Sequence, residues 1–357
     1  MKRPPLLAAL TLVFAALAWS PAAQAAESKP LNLITSPLPI NLTAKPGTTV
    51  TTDIKVKQNS GGTERLRVSL MKFSAYGDEG KPQLLDREPA DTYFDWVKFD
   101  KTSFAAPNNV WQTVRMNITL PKTAAFGYYY AVVFTREGDD SRQQTGNTNS
   151  ISGGSAVLVL MDANVPGAKR EVTLGALGST HGVYEFLPAT FNVGLKNTGN
   201  VHVVPHGNIF IMKGKKQIAV LDVNSEQGNI LPGSKRIYPV EWTDGFPHFE
   251  KTVEDGKVKL DKASKPVMHL VWNNGAAGSK DVKPHLRLGK YTAHLFAVYD
   301  DGSRDVPVEA EVSFWVVPWR LIVGGLLVML LVGAGTYSLT RGAWQRVSGL
   351  LRRNRRG

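Results

Sequence analysis

Cysteine is absent from the 357-residue chain. Without it there is no thiol nucleophile, no thiolate zinc site, no iron–sulfur ligation and no disulfide. The chain also lacks a Gly-x-Ser-x-Gly elbow, a phosphate-cradling glycine loop and an obvious Ser/His/Asp arrangement, so its motifs give catalysis no positive support. His202 and His206 stand four apart, the spacing of two helical metal ligands. Val203, Val204 and Pro205 between them argue against a helix, and no glutamate adjoins them. Asp300, Asp301 and Asp305 around Gly302, and Glu137 with Asp139 and Asp140, lack the ordered oxygen-ligand spacing of a calcium loop and read as turns. The sequence predicts a non-enzymatic protein with no catalytic residue, no metal site and no cofactor.

Helical periodicity is equally scarce until the C-terminal end. Leu321–Leu339 has no charged side chain. A run of about 20 apolar residues at ~1.5 Å rise matches a ~30 Å hydrocarbon core, which predicts a transmembrane helix. Trp315, Trp319 and Arg320 lie at its leading edge and Arg341 and Trp344 at its trailing one, the interfacial positions that indoles and cations favour. The tail 340–357 carries Arg341, Arg346, Arg352, Arg353, Arg355 and Arg356 with no acidic residue among them, which keeps it cytoplasmic by the positive-inside bias. At the other end Lys2 and Arg3 precede the apolar stretch Leu6–Ala18, and Ala23-Gln24-Ala25 has the small-residue spacing of a cleavage site. Residues 1–25 therefore read as a signal peptide, and everything before the span as extracytoplasmic. An exported chain without disulfides rests on its apolar cores alone, which fits a single-pass protein of a bacterial cell membrane.

Charge follows the same partition. Of 42 Lys+Arg, nine belong to the signal, to Arg320 or to the tail, leaving 33 basic against 30 acidic residues outside. The basic excess is a topology signal, and no nucleic-acid partner is expected.

Between signal and span the hydrophobic period is two. Val50, Thr52, Ile54 and Val56 alternate with polar neighbours, as do Leu66, Val68 and Leu70, and Val114, Met116, Ile118 and Leu120. These half-buried strands, separated by turn clusters, predict a β-sandwich over residues 28–165. Gly127–Thr135 is apolar on both faces, as a central strand is. Tyr129, Ala131 and Val133 are expected toward the core, with Tyr129 making a tyrosine-corner contact. Tyr128, Tyr130 and Phe134 would then stripe the outer face. That stripe is either a candidate binding surface or is roofed by Lys81–Pro107, which carries Tyr93, Phe94, Trp96 and Phe99. The polar stretch Glu137–Gly154 reads as a long loop, functional or mobile.

Residues 166–170 read as a linker, and 171–317 as a second, membrane-proximal sandwich. Phe191, Val193 and Leu195 share one face, and Gly289-Lys290-Tyr291 repeats the Gly-x-Tyr device. Residues 243–288 form an insertion, with a hairpin about Asp255-Gly256 followed by Val267–Trp272. Val306–Val316 alternates up to Pro318, leaving almost no spacer before the membrane. The predicted fold is all-β: two tandem Ig-like β-sandwiches followed by a single C-terminal transmembrane helix.

The arrangement resembles the bacterial WxL-interacting proteins. The likeness is carried by Ser36-Pro37-Leu38-Pro39-Ile40 with Lys45-Pro46-Gly47, by Pro121–Ala131, and by Asn197-Thr198-Gly199-Asn200-Val201-His202 with Leu231-Pro232-Gly233-Ser234. It covers nearly the whole chain, although the 243–288 insertion departs from the family's compact pattern. The resemblance implies an anchored cell-surface protein whose first domain binds peptidoglycan and whose second binds extracellular partners; it transfers no contact residue. The expected partners are thus cell-wall polymer, surface proteins or both, with the oligomeric state open. An envelope assembly chaperone acting by edge-strand pairing with clients is the alternative.

Overall fold

The computed structural model describes residues 30–138, 142–145, 148–151, 154–254, 256–262, 264–272 and 286–353. The signal-peptide assignment, Asp139, Asp140, Asp255, residues 273–285 of the predicted insertion, Arg355 and Arg356 lie outside the described residues.

The first half of the chain supplies β1 (Leu33–Ser36), β2 (Ile40–Ala44), β3 (Thr49–Gln58), β4 (Glu64–Tyr76), β5 (Lys81–Leu85), β6 (Val97–Phe99), β7 (Ser103–Ala106), β8 (Gln112–Thr119), β9 (Phe126–Arg136), β10 (Arg142–Thr145), β11 (Thr148–Ile151) and β12 (Gly154–Ala163). Two sheets, in the orders β1-β3-β8-β6 and β2-β12-β9-β4-β5 with β7 beside β4, face one another. The first strand divides between them at Pro37 and Pro39, because a residue without an N–H cannot continue the ladder. Ile54, Val56, Val114, Met116 and Ile118 from one sheet meet Leu66, Tyr130, Val132, Phe134 and Val159 from the other, all fully buried. Each such side chain contributes about 1.5–3 kcal/mol, so this core needs no disulfide.

The second half supplies β13 (Val172–Ser179), β14 (Val183–Tyr184), β15 (Ala189–Asn197), β16 (His206–Lys213), β17 (Lys216–Val223), β18 (Lys235–Trp242), β19 (His248–Lys251), β20 (Val253–Glu254), β21 (Lys257–Val258), β22 (Met268–Val271), β23 (Gly289–Asp300) and β24 (Asp305–Val316). Sheets β13-β15-β18 and β14-β24-β23-β16-β17 enclose a core around Phe191, Trp242, Tyr291 and Phe314. Among the described residues no sheet mixes strands from the two halves. The insertion folds as nested pairs, β19 with β22 and β20 with β21, the second closing about Gly256 as the turn signal predicts.

Helix α1 (Trp319–Arg353) follows Pro318, whose carbonyl accepts the Ile322 N–H at 3.1 Å. It begins before and runs beyond the predicted Leu321–Leu339 span, with no break at residue 340. Its apolar portion, Trp319–Gly342, has a mean hydropathy of 2.0 and none of its most apolar window is buried. It is the one helix among the described residues long and apolar enough to cross a membrane. A core helix of a soluble domain would be covered.

Three expectations are corrected. In β9 the faces are inverted: Tyr130, Val132 and Phe134 point into the sandwich, whereas Tyr129, Ala131 and Val133 point out of it. The corner contact belongs to Tyr128, whose hydroxyl accepts the Ala125 N–H at 3.0 Å; Tyr129 does not make it. The polar stretch Glu137–Gly154 contains a paired hairpin, β10 with β11, in place of an unstructured loop.

Candidate functional site

The predicted aromatic stripe is not a binding surface. Tyr130 and Phe134 have no exposure, and Tyr128 is partly covered. The roof is a 3₁₀ turn, Thr92–Trp96, within the predicted covering segment. Its Tyr93 ring packs 5.3 Å from Tyr130 and 5.5 Å from Tyr128, and Trp96 meets Tyr128 edge-on at 4.7 Å. The Tyr130 hydroxyl donates to the Tyr93 carbonyl at 3.2 Å, and burial pushes its pKa above the usual phenol range.

The other face of β9 is where open space lies. Phe73, Leu84, Ala131, Val133 and Leu160 form a second apolar layer on the outside of the sandwich, and Leu231 from the second half packs onto it. Between this layer and the Glu226–Leu231 loop runs a cleft of ≈ 550 Å³, lined on its apolar wall by Phe73, Leu84, Leu158, Leu160 and Leu231. Charge enters through Arg236, Glu226, and the pair Lys81 and Glu79.

Two contacts between the halves bound the cleft. At one side the β4–β5 turn reaches β18: the Ile237 N–H donates to the Asp78 carbonyl at 2.6 Å, and Lys235 lies 3.4 Å from the Asp78 carboxylate. Arg236 donates to the Asn229 carbonyl at 3.2 Å and lies against Gly228, where a Cβ would collide with its guanidinium. Tyr238 donates to the Gly228 carbonyl at 3.2 Å, and burial pushes its hydroxyl up to about 12. These bonds hold the cleft's floor in the second half.

At the other side is a polar knot. Asp162, at the end of β12, pairs with Arg170 of the linking segment, and Tyr129 meets the His202 ring edge-on at 5.8 Å. Burial raises the Asp162 pKa, with the Arg170 charge opposing. Burial, assisted by Arg170, pushes His202 down to about 4, so the imidazole is neutral near pH 7. His206, its sequence neighbour in the i, i+4 pair, is exposed on β16; the two histidines do not act together, and no His/Cys/Asp/Glu group with metal-binding geometry occurs among the described residues. Asp301 accepts from the Ser303 and Arg304 N–H groups at 2.8 and 2.9 Å, which makes its cluster a turn.

Of the predicted interfacial residues, Trp315, Trp319 and Arg320 lie where β24 meets α1, and Arg341 and Trp344 lie at the far end of its apolar portion. Trp315, Trp319 and Trp344 are exposed, as is Arg341. Arg320 sits 5.3 Å over the Trp319 ring and 3.5 Å from the Glu185 carboxylate.

No family model matches the chain, and no curated protein matches it. Solved structures similar to it include the class 5 fimbriae chaperone CfaA, 14% identical over 80% of this chain and 100% of that one, with a TM-score of 0.33. A chaperone–tip adhesin pre-assembly complex from the archaic Csu pili of Acinetobacter baumannii is 9% identical over 78% of this chain and 97% of that one, at 0.34. The CupB2 chaperone of Pseudomonas aeruginosa is 9% identical over 79% and 100%, at 0.31.

Sequence reasoning missed the cleft. Its walls come from Phe73, Leu158 and Leu231, far apart in the chain, and no local pattern joins them. The one signal was that β9 is apolar on both faces, which requires two covers.

Proposed function

We propose that the protein is a non-enzymatic, membrane-tethered binding protein of the bacterial envelope, and that the cleft between its sandwiches receives an apolar segment of a protein partner. The lining of the cleft carries this reading. Aliphatic and phenyl groups with charge at few points suit protein side chains. A cell-wall polymer, rich in hydroxyl and amide groups, calls for stacked aromatics and arrays of hydrogen-bond partners. Of the two partners implied by the likeness to WxL-interacting proteins, the surface protein is therefore preferred to peptidoglycan. In the same reading residues 1–25 direct export, α1 crosses the membrane once, and the arginine tail stays inside.

A photoreactive amino acid in place of Leu158, in the full chain and in intact cells, tests the proposal. The expected result is a discrete protein adduct that disappears when Leu231→Arg obstructs the cleft and that is not formed from the same probe at the distant Val110. No adduct, an adduct with glycan only, or the same adduct from Val110 would overturn it.

One observation favours the second reading, an assembly chaperone that pairs an edge strand with its client. Edge strands β5 and β18 carry Pro82 and Pro239, which discourage strand addition, but the eight-residue edge β17 has no proline. Under this reading Val220→Pro abolishes client protection and leaves Leu158 adducts unaffected; loss of the adducts with protection intact would reject it.

A further inference from the structure

The insertion leaves and re-enters the second sandwich at a single end. Trp242, where β18 stops, pairs with Ala189, and Gly289, where β23 starts, pairs with Val316, two residues before Pro318. Val316 also pairs with Tyr184. Three residues on from Tyr184, the Leu187 carbonyl accepts the Phe249 N–H at 2.7 Å, and Phe186 meets the Phe249 ring edge-on at 6.0 Å. The insertion is thus seated at the level of the first turn of α1, where Arg320 pairs with Glu185.

Exposed aliphatic and aromatic side chains stand at this end among charged ones such as Glu254, Lys257, Lys259 and Asp261. Val253, Leu260 and Trp272 are 59%, 55% and 56% exposed, and Val258 is also exposed. Val253 and Val258 are cross-strand partners, so both project from the same face of the hairpin. Cations stand at the same end. Lys213 donates to the Leu288 carbonyl at 2.8 Å, which brings the exposed β16–β17 turn, with Lys215 and Lys216, to this same end. Asp300, Asp301 and Asp305 close the opposite end of the β23–β24 hairpin. The sandwich therefore has an acidic turn away from α1, and beside α1 an end that carries exposed aliphatic groups and lysines together with Glu254 and Asp261.

We propose that the insertion is a lipid-contact arm. Its Val253, Val258 and Leu260 rest at the headgroup–acyl boundary of the leaflet that α1 enters, and the neighbouring lysines lie against anionic lipid phosphates. Aliphatic groups gain by leaving water at that depth, and ammonium groups on long stems reach the phosphate level above them. The occupant follows from continuity: the surface that covers the arm is the bilayer the adjoining helix crosses. The proposal rests on that span and holds whatever the cleft binds.

The lack of cysteine makes the test clean, because an introduced thiol is the only one to label. Full chains carrying Val258→Cys, Leu260→Cys, Val110→Cys or Leu330→Cys take a polarity-sensitive fluorophore and are reconstituted into vesicles of phosphatidylcholine with phosphatidylglycerol. Val110, 46% exposed in the first half, is the reference in water, and Leu330 reports the span. Labels at Val258 and Leu260 are expected to shift to the blue, to be quenched by brominated lipid, and to be quenched severalfold less by iodide than the Val110 label. If iodide reaches all three equally while the Leu330 label is in lipid, the arm is disproved and the span stands. If the Leu330 label is also in water, the span fails with it. Shielding that is unchanged without phosphatidylglycerol would overturn the part assigned to the lysines.

Discussion

β9 and β23 hold the same central place in their sheets, and they are covered differently. In β23 burial alternates: Tyr291, Ala293, Leu295 and Ala297 face the core, while the other face carries polar pairs such as Thr292 with Ser313 at 3.2 Å and His294 with Glu311 at 3.2 Å. In β9 every residue from Tyr130 to Phe134 is buried. A sheet with one apolar face needs one partner, and a sheet with two needs two. The second partner of β9 is the second half of the chain, through Leu231, and it covers the outer layer only in part. The difference between the strands locates the cleft: apolar surface remains where the two halves diverge, whereas the outer face of β23 carries polar pairs.

The sharpest way to break that comparison uses two adjacent residues of β12. Val157 faces the closed core with no exposure, and Leu158 faces the cleft. Val157→Asp buries an unpaired carboxylate and is expected to unfold the first half, since that cost rivals the ~5–15 kcal/mol stability of an ordinary domain. Leu158→Asp, with water at hand, is expected to cost about 1–2 kcal/mol and to abolish partner binding. Thermal unfolding of the two full-length variants in detergent decides. Equal destabilisation would make the outer layer a core like any other, with no cleft open to a partner.

Alternation made the strands legible, and it failed where both faces are apolar. From Tyr128 to Phe134 no polar residue marks which side meets water, so inside and outside were exchanged. Three consecutive tyrosines left the corner contact equally undetermined, and Tyr128 took the role assigned to Tyr129. The roof over the stripe was legible, because Tyr93, Phe94 and Trp96 are too apolar for an uncovered loop. The clefted side was not, because Leu231 and Arg236 lie over 60 residues beyond β12 and only the packing of one half on the other brings them near. Turn clusters were likewise recognised, Asn197 among them, without the buried amide hydrogen bonds by which Gln58 and Asn197 hold them.

Those amides extend the comparison to a smaller effect. Gln58 and Asn197 end β3 and β15, and both are fully buried. Gln58 donates to the Ala106 carbonyl at 3.0 Å and to that of Gly62, and accepts the Ser60 N–H at 2.7 Å. Asn197 donates to the Val201 and Ile230 carbonyls at 2.8 and 2.9 Å and accepts the Gly199 N–H at 2.8 Å. Each side chain pins a turn that the backbone cannot satisfy alone. Gln58→Ala and Asn197→Ala each orphan these groups, with an expected loss of about 2–4 kcal/mol. Chemical denaturation of the full chain measures both. Because Ile230 adjoins Leu231, only Asn197→Ala should also weaken partner binding; an equal effect from Gln58→Ala would uncouple the cleft from the second half.

The smallest expected effect concerns the seam between the halves. His202, held down to about 4, takes up no proton in the folded chain across a range where an unfolded histidine, at 6.5, already has. Its contribution is complete above pH 6.5 and is lost as pH falls toward 4, because the unfolded state then binds more protons. Full expression of that shift would amount to ~3 kcal/mol, and the partial exposure of His202 reduces it. Asp162 acts in the opposite sense. Its raised pKa makes the folded chain the better proton acceptor just above the usual carboxylate value, so acidification there favours folding. A full chain in detergent should therefore lose thermal stability between pH 6.5 and pH 4. His202→Gln should flatten that decline, and Asp162→Asn should steepen its acid end. A decline unchanged by His202→Gln would mean that the acid sensitivity lies away from the seam, and that the contact of Tyr129 with His202 holds the halves together by packing alone.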